Sequence, residues 1–244
     1  MKTNPSSRSV RAFVRLAGVL CCWFGVAAAV HAQKPSPRLL DPTNHVLILI
    51  DHQPQMAFAT RSIDVAELRN NTTGLAKSAK LFSVPTILTS VAAETFSGPL
   101  FPEVQAVFPG QKPIDRTTMN CWEDKRIVDA VKRTGKKKIV MAGLWTEVCG
   151  IGPVLSAIDE GYDVYFVSDA SGGVSLTAHQ HAITRMEQAG AHTITWLQYL
   201  LELQRDWARS ATYDATNQIV KDHAGGYGLG VIYAKAMFGG QEGK

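Results

Sequence analysis

Cys149 is the residue in this chain most suited by position to covalent chemistry. It ends the run Gly143-Leu-Trp-Thr-Glu-Val-Cys149, which follows the apolar stretch Lys138-Ile-Val-Met-Ala142 and leads into Ile151–Glu160, where apolar residues recur at helical spacing. A cysteine at a strand-to-helix turn sits at the carboxyl edge of a sheet, where open α/β folds bind ligands. The unpaired N–H groups and positive dipole end of the following helix favour a thiolate there. A small apolar residue packed at a helix start would have the same setting, so position alone leaves both roles open. A thiol nucleophile also needs a base, a nearby cation, and donors for the oxyanion formed at the attacked carbon. Asp51, directly after the apolar run His45–Ile50, is the candidate base, and Arg116 is the candidate cation. The backbone N–H groups from Thr146 to Cys149 are the candidate donors. An aspartate after a strand is equally a turn or helix cap, and a loop arginine is commonly solvated, so neither is specific by itself.

Positioning these three requires strands that end at one edge. Continuous apolar runs at 45–50, 84–89, 138–142 and 163–168, with a short one at 192–195, predict strands covered on both faces. Helical periodicity at 64–82, 122–133, 151–160, 176–189 and 196–209 alternates with them. Repeated strand–helix units predict a three-layer α/β/α domain with a central parallel sheet and right-handed crossovers. Residues 90–122 read as one long connection rich in proline and glycine, and connections of that length tend to be functional. Asp169-Ala-Ser-Gly-Gly173 is a second candidate site loop at a strand end.

The chain has 244 residues and a formal net charge of +4. Residues 1–32 hold Lys2, Arg8, Arg11 and Arg15 with no acidic residue, so this segment carries the whole excess. The positive start, the apolar Leu16–Val30 and the small residues before Gln33 form the pattern of a cleaved signal peptide, which predicts a periplasmic or secreted protein. The remainder is electrically balanced, which argues against nucleic acid and, after signal removal, against a membrane as partner. It spans 33–209 as one domain and 210–244 as a glycine-rich arm. The arm's apolar patch Val231-Ile-Tyr-Ala234 predicts packing on a neighbouring subunit, and hence a homo-oligomer, rather than a disordered tail. Only Cys121 and Cys149 remain beyond the signal, too few for a disulfide scaffold.

Taken together, Ile50-Asp-His-Gln53, Arg116 with Asn120-Cys-Trp-Glu123, and Thr146-Glu-Val-Cys149 resemble the isochorismatase-like cysteine hydrolase superfamily, most closely its YcaC-type branch. Ser168-Asp-Ala-Ser-Gly172, Gln188-Ala-Gly190 and Glu202-x-x-Arg-Asp-Trp207 extend the resemblance over about residues 38 to 209. It implies the α/β/α fold, Cys149 as nucleophile, Asp51 as base, Arg116 as the cationic third member, and a non-proline cis peptide at Trp145–Thr146. It also implies cleavage of an amide-type C–N bond in a small molecule through a thioester. The Asp-x-His arrangement that binds metal in nicotinamidase-type relatives is missing from the matching stretch, so neither metal nor cofactor is expected. Gln53, Phe58, Phe96, Asn120 and Trp122 are candidate pocket residues, with Trp145 beside them, suited to a small flat or apolar amide. Two other functions stay open: a thiol-redox protein cycling Cys121 and Cys149, and a catalytically silent small-molecule binder.

Overall fold

Continuous apolarity along the strands has a direct structural counterpart: alternate side chains of the long strands feed two separate cores. The computed structural model describes residues 33–239, so the predicted signal segment lies outside the described residues. In chain order the elements begin with β1 (His45–Ile50), α1 (Pro54–Ala59), α2 (Val65–Leu81), β2 (Thr86–Val91), α3 (Pro102–Val107) and β3 (Ile114–Arg116). They continue with α4 (Lys125–Thr134), β4 (Lys138–Gly143), α5 (Ile151–Asp159), β5 (Asp163–Val167), α6 (Leu176–Gln188) and β6 (His192–Ile194). The chain closes with α7 (Trp196–Gln204), α8 (Ser210–His223) and α9 (Gly225–Phe238).

The sheet order is β3-β2-β1-β4-β5-β6, and every pairing is parallel. From β1 the chain winds outward to β3, then crosses back to β4 and winds the other way. The order reverses between β1 and β4, and in such sheets the crevice beyond the carboxyl ends at that point is where ligands bind. Their register pairs Ile50 with Gly143, so both strands stop together. Gly143 is required there, because a Cβ would lie 2.7 Å from Ile50 Cβ. On one face Leu47, Leu49, Val140 and Ala142 pack with Leu68 and Leu75 of α2 and Tyr199, Leu200 and Leu203 of α7. On the other, Val46, Ile48, Ile139 and Met141 pack with Ile127 and Val131 of α4, Val154 and Ala157 of α5, and Met186 of α6.

Three expectations change. The connection at 90–122 is not a plain loop but carries α3 and a sixth, edge strand, β3. That strand is three residues long and follows Pro113, too short to show an apolar run. The helix expected over 196–209 stops at Gln204, where Arg205 takes a positive φ of 56°. The segment after 209 is helical in two parts, and its first part belongs to the domain: Ile219 and Val220 of α8 are buried in the core beside α2 and α7. In α9 only Gly228 is buried, packed against the Val220 carbonyl of α8.

Candidate active site

Asp51 is the first residue past β1 and adopts a left-handed backbone conformation, φ 57°, which an aspartate tolerates better than most residues. Its N–H donates to Thr89 O at 3.0 Å, so the β1–β2 pairing continues into it. Arg116 ends β3 and reaches across β2 to it. The Arg116 fork closes on the Asp51 carboxylate with Nη1–Oδ1 at 2.7 Å and Nη2–Oδ2 at 2.8 Å, the bidentate geometry that arginine alone provides. Nη1 also donates to Thr89 Oγ1 and Ser90 O, and Nη2 to Met119 O. Asp51 is fully buried and Arg116 nearly so. The cation thus acts mainly on the carboxylate, fixing its orientation.

Cys149 comes from the other side of the reversal point. Between β4 and α5 the chain makes a single π turn, Thr146–Gly150, and Cys149 is its fourth residue, 4% exposed. Its thiol lies within interaction range of the Asp51 carboxylate. Burial pushes the thiol above its ordinary value, and the Asp51 charge adds to that, while Arg116 opposes it. The helix-dipole argument for a resting thiolate therefore loses to desolvation and a neighbouring anion: Cys149 rests as a protonated thiol. Burial likewise pushes the Asp51 carboxyl up against the pull of Arg116. Desolvation works against the Arg116 charge, yet the bonds to Asp51 hold its guanidinium above the usual value. Thiol and carboxyl are thereby a coupled proton donor and acceptor in a dry site.

The turn's own amides are partly spent. Thr146 N–H donates to Gly172 O, and those of Val148 and Gly150 donate to Trp145 O. The N–H groups of Glu147 and Cys149 make no such tie outside the turn, which leaves these two as the candidate oxyanion donors. The cis peptide is Leu144–Trp145, one bond earlier than expected. Sheet pairing continues through Leu144, whose N–H donates to Ile50 O, and Thr146 already opens the turn on Gly172, so the bend falls between them.

The remaining candidates divide. Gln53 is buried and its amide is consumed by Val91 N, Val91 O and Gly98 O, bracing the loops after β1 and β2 rather than facing a ligand. Asn120 caps the short turn that follows it, accepting from Trp122 N, and donates to Ser156 Oγ. Trp122 packs in the core with its indole N–H on Glu160 Oε1 at 2.8 Å and its ring edge against Tyr162. These three hold the scaffold. Phe58 and Phe96 stand on the surface, 74% and 63% exposed, in the segments after β1 and β2, and Met119 joins them after β3. Trp145 is half-buried and donates to Met56 O, tying α1 to the start of the Cys149 turn. Cys121 lies in the same core cluster as Cys149 and is also a free thiol, its pKa pushed up to about 12 by burial. His52 is fully buried with Nε2 on Ala170 O at 2.9 Å, a core histidine pulled to about 4. Among the described residues no three His, Cys, Asp or Glu side chains converge as a metal site.

Sequence reasoning missed two supports of the turn. Ser171 Oγ accepts from Gly143 N and donates to Val167 O, so the Asp169–Gly173 loop, legible as a site loop, braces the end of β4. His179 of α6 meets the Thr146 hydroxyl at 2.8 Å. It belongs to no motif, and only the α6 packing brings it there.

A parallel α/β/α sheet with Asp, Arg and Cys gathered at its reversal point defines a class of α/β proteins with a buried Asp–Arg–Cys site. The isochorismatase domain family model matches residues 45–198, and the chain belongs to that family. It is similar to the probable hydrolase YcaC of Escherichia coli K12, with 43% identity over 175 residues, covering 71% of this chain and 84% of that one. The crystal structure of the E. coli YcaC gene product, an octameric hydrolase of unknown specificity, superposes with TM-score 0.77 at 38% identity, covering 84% of this chain and all of that one. YcaC from Pseudomonas aeruginosa, with hexane-2,5-diol and covalent acrylamide, superposes with TM-score 0.78 at 35% identity, over 83% of this chain and all of that one. The chain is thus an isochorismatase-family, YcaC-like hydrolase.

Proposed function

We propose that this hydrolase cleaves an amide-type C–N bond of a small molecule through a thioester on Cys149. The single observation that carries the reading is the placement of the buried Cys149 thiol within interaction range of a buried Asp51 carboxylate fixed by Arg116. Asp51 takes the thiol proton as sulfur attacks the carbonyl carbon, and the N–H groups of Glu147 and Cys149 receive the oxyanion. As the C–N bond breaks, the carboxylic acid at Asp51 gives that proton to the leaving nitrogen. Water then attacks the thioester with Asp51 accepting its proton, the acid product leaves, and the Cys149 thiol is restored. A carboxyl raised by burial suits a group that must alternately hold and release a proton. The adduct of the P. aeruginosa relative with acrylamide, an amide bearing a thiol-reactive alkene, is consistent with this chemistry.

Two further assignments accompany it. The basic and apolar pattern of residues 1–32 supports export to the periplasm or beyond. A homo-oligomer is supported by the octameric E. coli relative and by α9, whose Leu229, Tyr233, Met237 and Phe238 are exposed. Incubating the mature protein with a panel of small primary and aromatic amides, with ammonia release as readout, tests the reaction. Turnover of at least one amide, reduced about a thousandfold or more in Cys149→Ser, is the expected result. Amide turnover that persists in Cys149→Ser overturns it, as does a panel with no turnover and no adduct on Cys149.

A further inference from the structure

We propose that His179 is a positioning residue for the catalytic turn, holding the Thr146 hydroxyl through Nδ1 and thereby aiming the Glu147 and Cys149 N–H groups. This rests on the reading of Cys149 as nucleophile given above. Thr146 opens the turn and is fully buried, and its hydroxyl meets His179 Nδ1 at 2.8 Å. The turn's other ties run to the strap after β5: Thr146 N–H to Gly172 O at 2.9 Å, and Val174 N–H to Glu147 Oε1 at 2.8 Å. The strap is itself fixed, since Gly173 O accepts from Arg61 N and Ser62 N, and Gly173 N donates to Ser62 Oγ. A Cβ on Gly173 would fall 2.3 Å from Glu147 Oε2 and 3.2 Å from His179 Cβ, so strap, turn and α6 meet without spare room. His179 is the one contribution of α6 to this arrangement that is a side-chain hydrogen bond to the turn. Its backbone is anchored in the first turns of α6, where Ser175 caps the helix.

His179 also lines a cleft of about 900 Å³ between the start of α2 and α6. The titratable group acting on the ring is Glu147 on the turn, and the cleft is lined further by Asp64 and Glu67 on the α2 side, Asp169 after β5, and His181 on α6 itself. Burial pulls His179 below its ordinary value, against the opposing pull of Glu147. As a neutral ring, Nδ1 accepts the threonine hydrogen when the ring proton is on Nε2. Protonation turns Nδ1 into a donor, and the hydroxyl must rotate to accept.

Two probes separate positioning from general damage. Acylation of Cys149 by p-nitrophenyl acetate passes through an oxyanion, whereas alkylation by iodoacetamide does not. Both are read at Cys149 by mass spectrometry on the full mature protein, for the parent, His179→Leu and His179→Asn. In His179→Asn the amide oxygen can replace Nδ1 as acceptor. Acylation is expected to fall about 10- to 100-fold in His179→Leu with alkylation within about twofold of the parent. Near-parent acylation is expected in His179→Asn, without the His179 share of the acid limb of the pH profile. Equal loss of both reactions, or loss of neither, in His179→Leu overturns the proposal, as does failure of His179→Asn to recover acylation. A parent whose Cys149 reacts with neither probe overturns instead the nucleophile reading on which it rests.

Discussion

Asp51 has opposite effects on the resting and the reacting Cys149. Its charge helps hold the thiol protonated, and in the proposed mechanism its basicity removes the proton during attack. Asp51→Asn is therefore expected to lower the Cys149 thiol pKa by about one unit or more while abolishing amide turnover. Site-resolved iodoacetamide labelling across pH checks the first half and ammonia release the second; a thiol pKa that rises in Asp51→Asn would contradict the account. Arg116 has a different weight. Removing it as Arg116→Met leaves a buried carboxylate without its fork, at a cost of about 3–5 kcal/mol, which urea unfolding would register; an unchanged midpoint would mean the pair is not desolvated as the structure shows. The candidate nucleophile and base were legible as residue types at strand ends, and the candidate cation as an arginine in the long connection. Their electrostatics were not, because a helix dipole can be read from sequence whereas complete burial beside an anion cannot.

Between β1 and β4 the site depends on backbone fit. Gly143 faces Ile50 with no room for a side chain, its would-be Cβ only 2.7 Å from Ile50 Cβ and 2.9 Å from Ile50 O. Gly143→Ala must push apart the two strands that carry Asp51 and the catalytic turn. It is expected to destabilise the protein by about 1–3 kcal/mol and to lower Cys149 acylation; a variant with parent stability and acylation would show that this approach is not needed. The long strands and their order were readable because each fills two cores and so carries an unbroken apolar run. β3 was hidden because three residues at a sheet edge leave no pattern, and with it the reason Arg116 reaches Asp51. Gln53, Asn120 and Trp122 were recognisable as marked positions. Their roles as braces depend on partners such as Val91, Ser156 and Glu160, 36 to 38 residues away and in other elements.

For the assembled chain, two buried histidines set the response to acid. His45, bonded to Asp41 O and Tyr199 Oη, and His52 are both pulled to about 4 by burial. A histidine with a depressed folded pKa favours the folded state fully above its unfolded value, and that contribution is lost as pH falls from about 6.5 towards 4. Each histidine then costs about 2 kcal/mol at pH 5 relative to neutrality. Asp169, raised to about 6 by burial, works the other way and offsets only part. Denaturant midpoints are expected to fall between pH 7 and 5, and a flat profile would contradict the burial. At the surface, α9 carries a nearly uncharged helix whose exposed side holds Leu229, Tyr233 and Met237. Tyr233→Glu with Met237→Glu is expected to reduce the oligomer mass seen by light scattering; an unchanged mass would place the contacts elsewhere. The apolar patch in this segment was visible in sequence, but glycines masked its helical form.

Acid-quenched mass spectrometry of the mature protein mixed with p-nitrophenyl acetate addresses the Asp51–Cys149 pair itself. An acetyl group on Cys149 that turns over in the parent and accumulates in Asp51→Asn is the predicted result, since the activated ester needs no proton for its leaving group but water still needs the base. Acetylation of Cys121 instead, or an adduct on Cys149 that clears equally fast without Asp51, would contradict it.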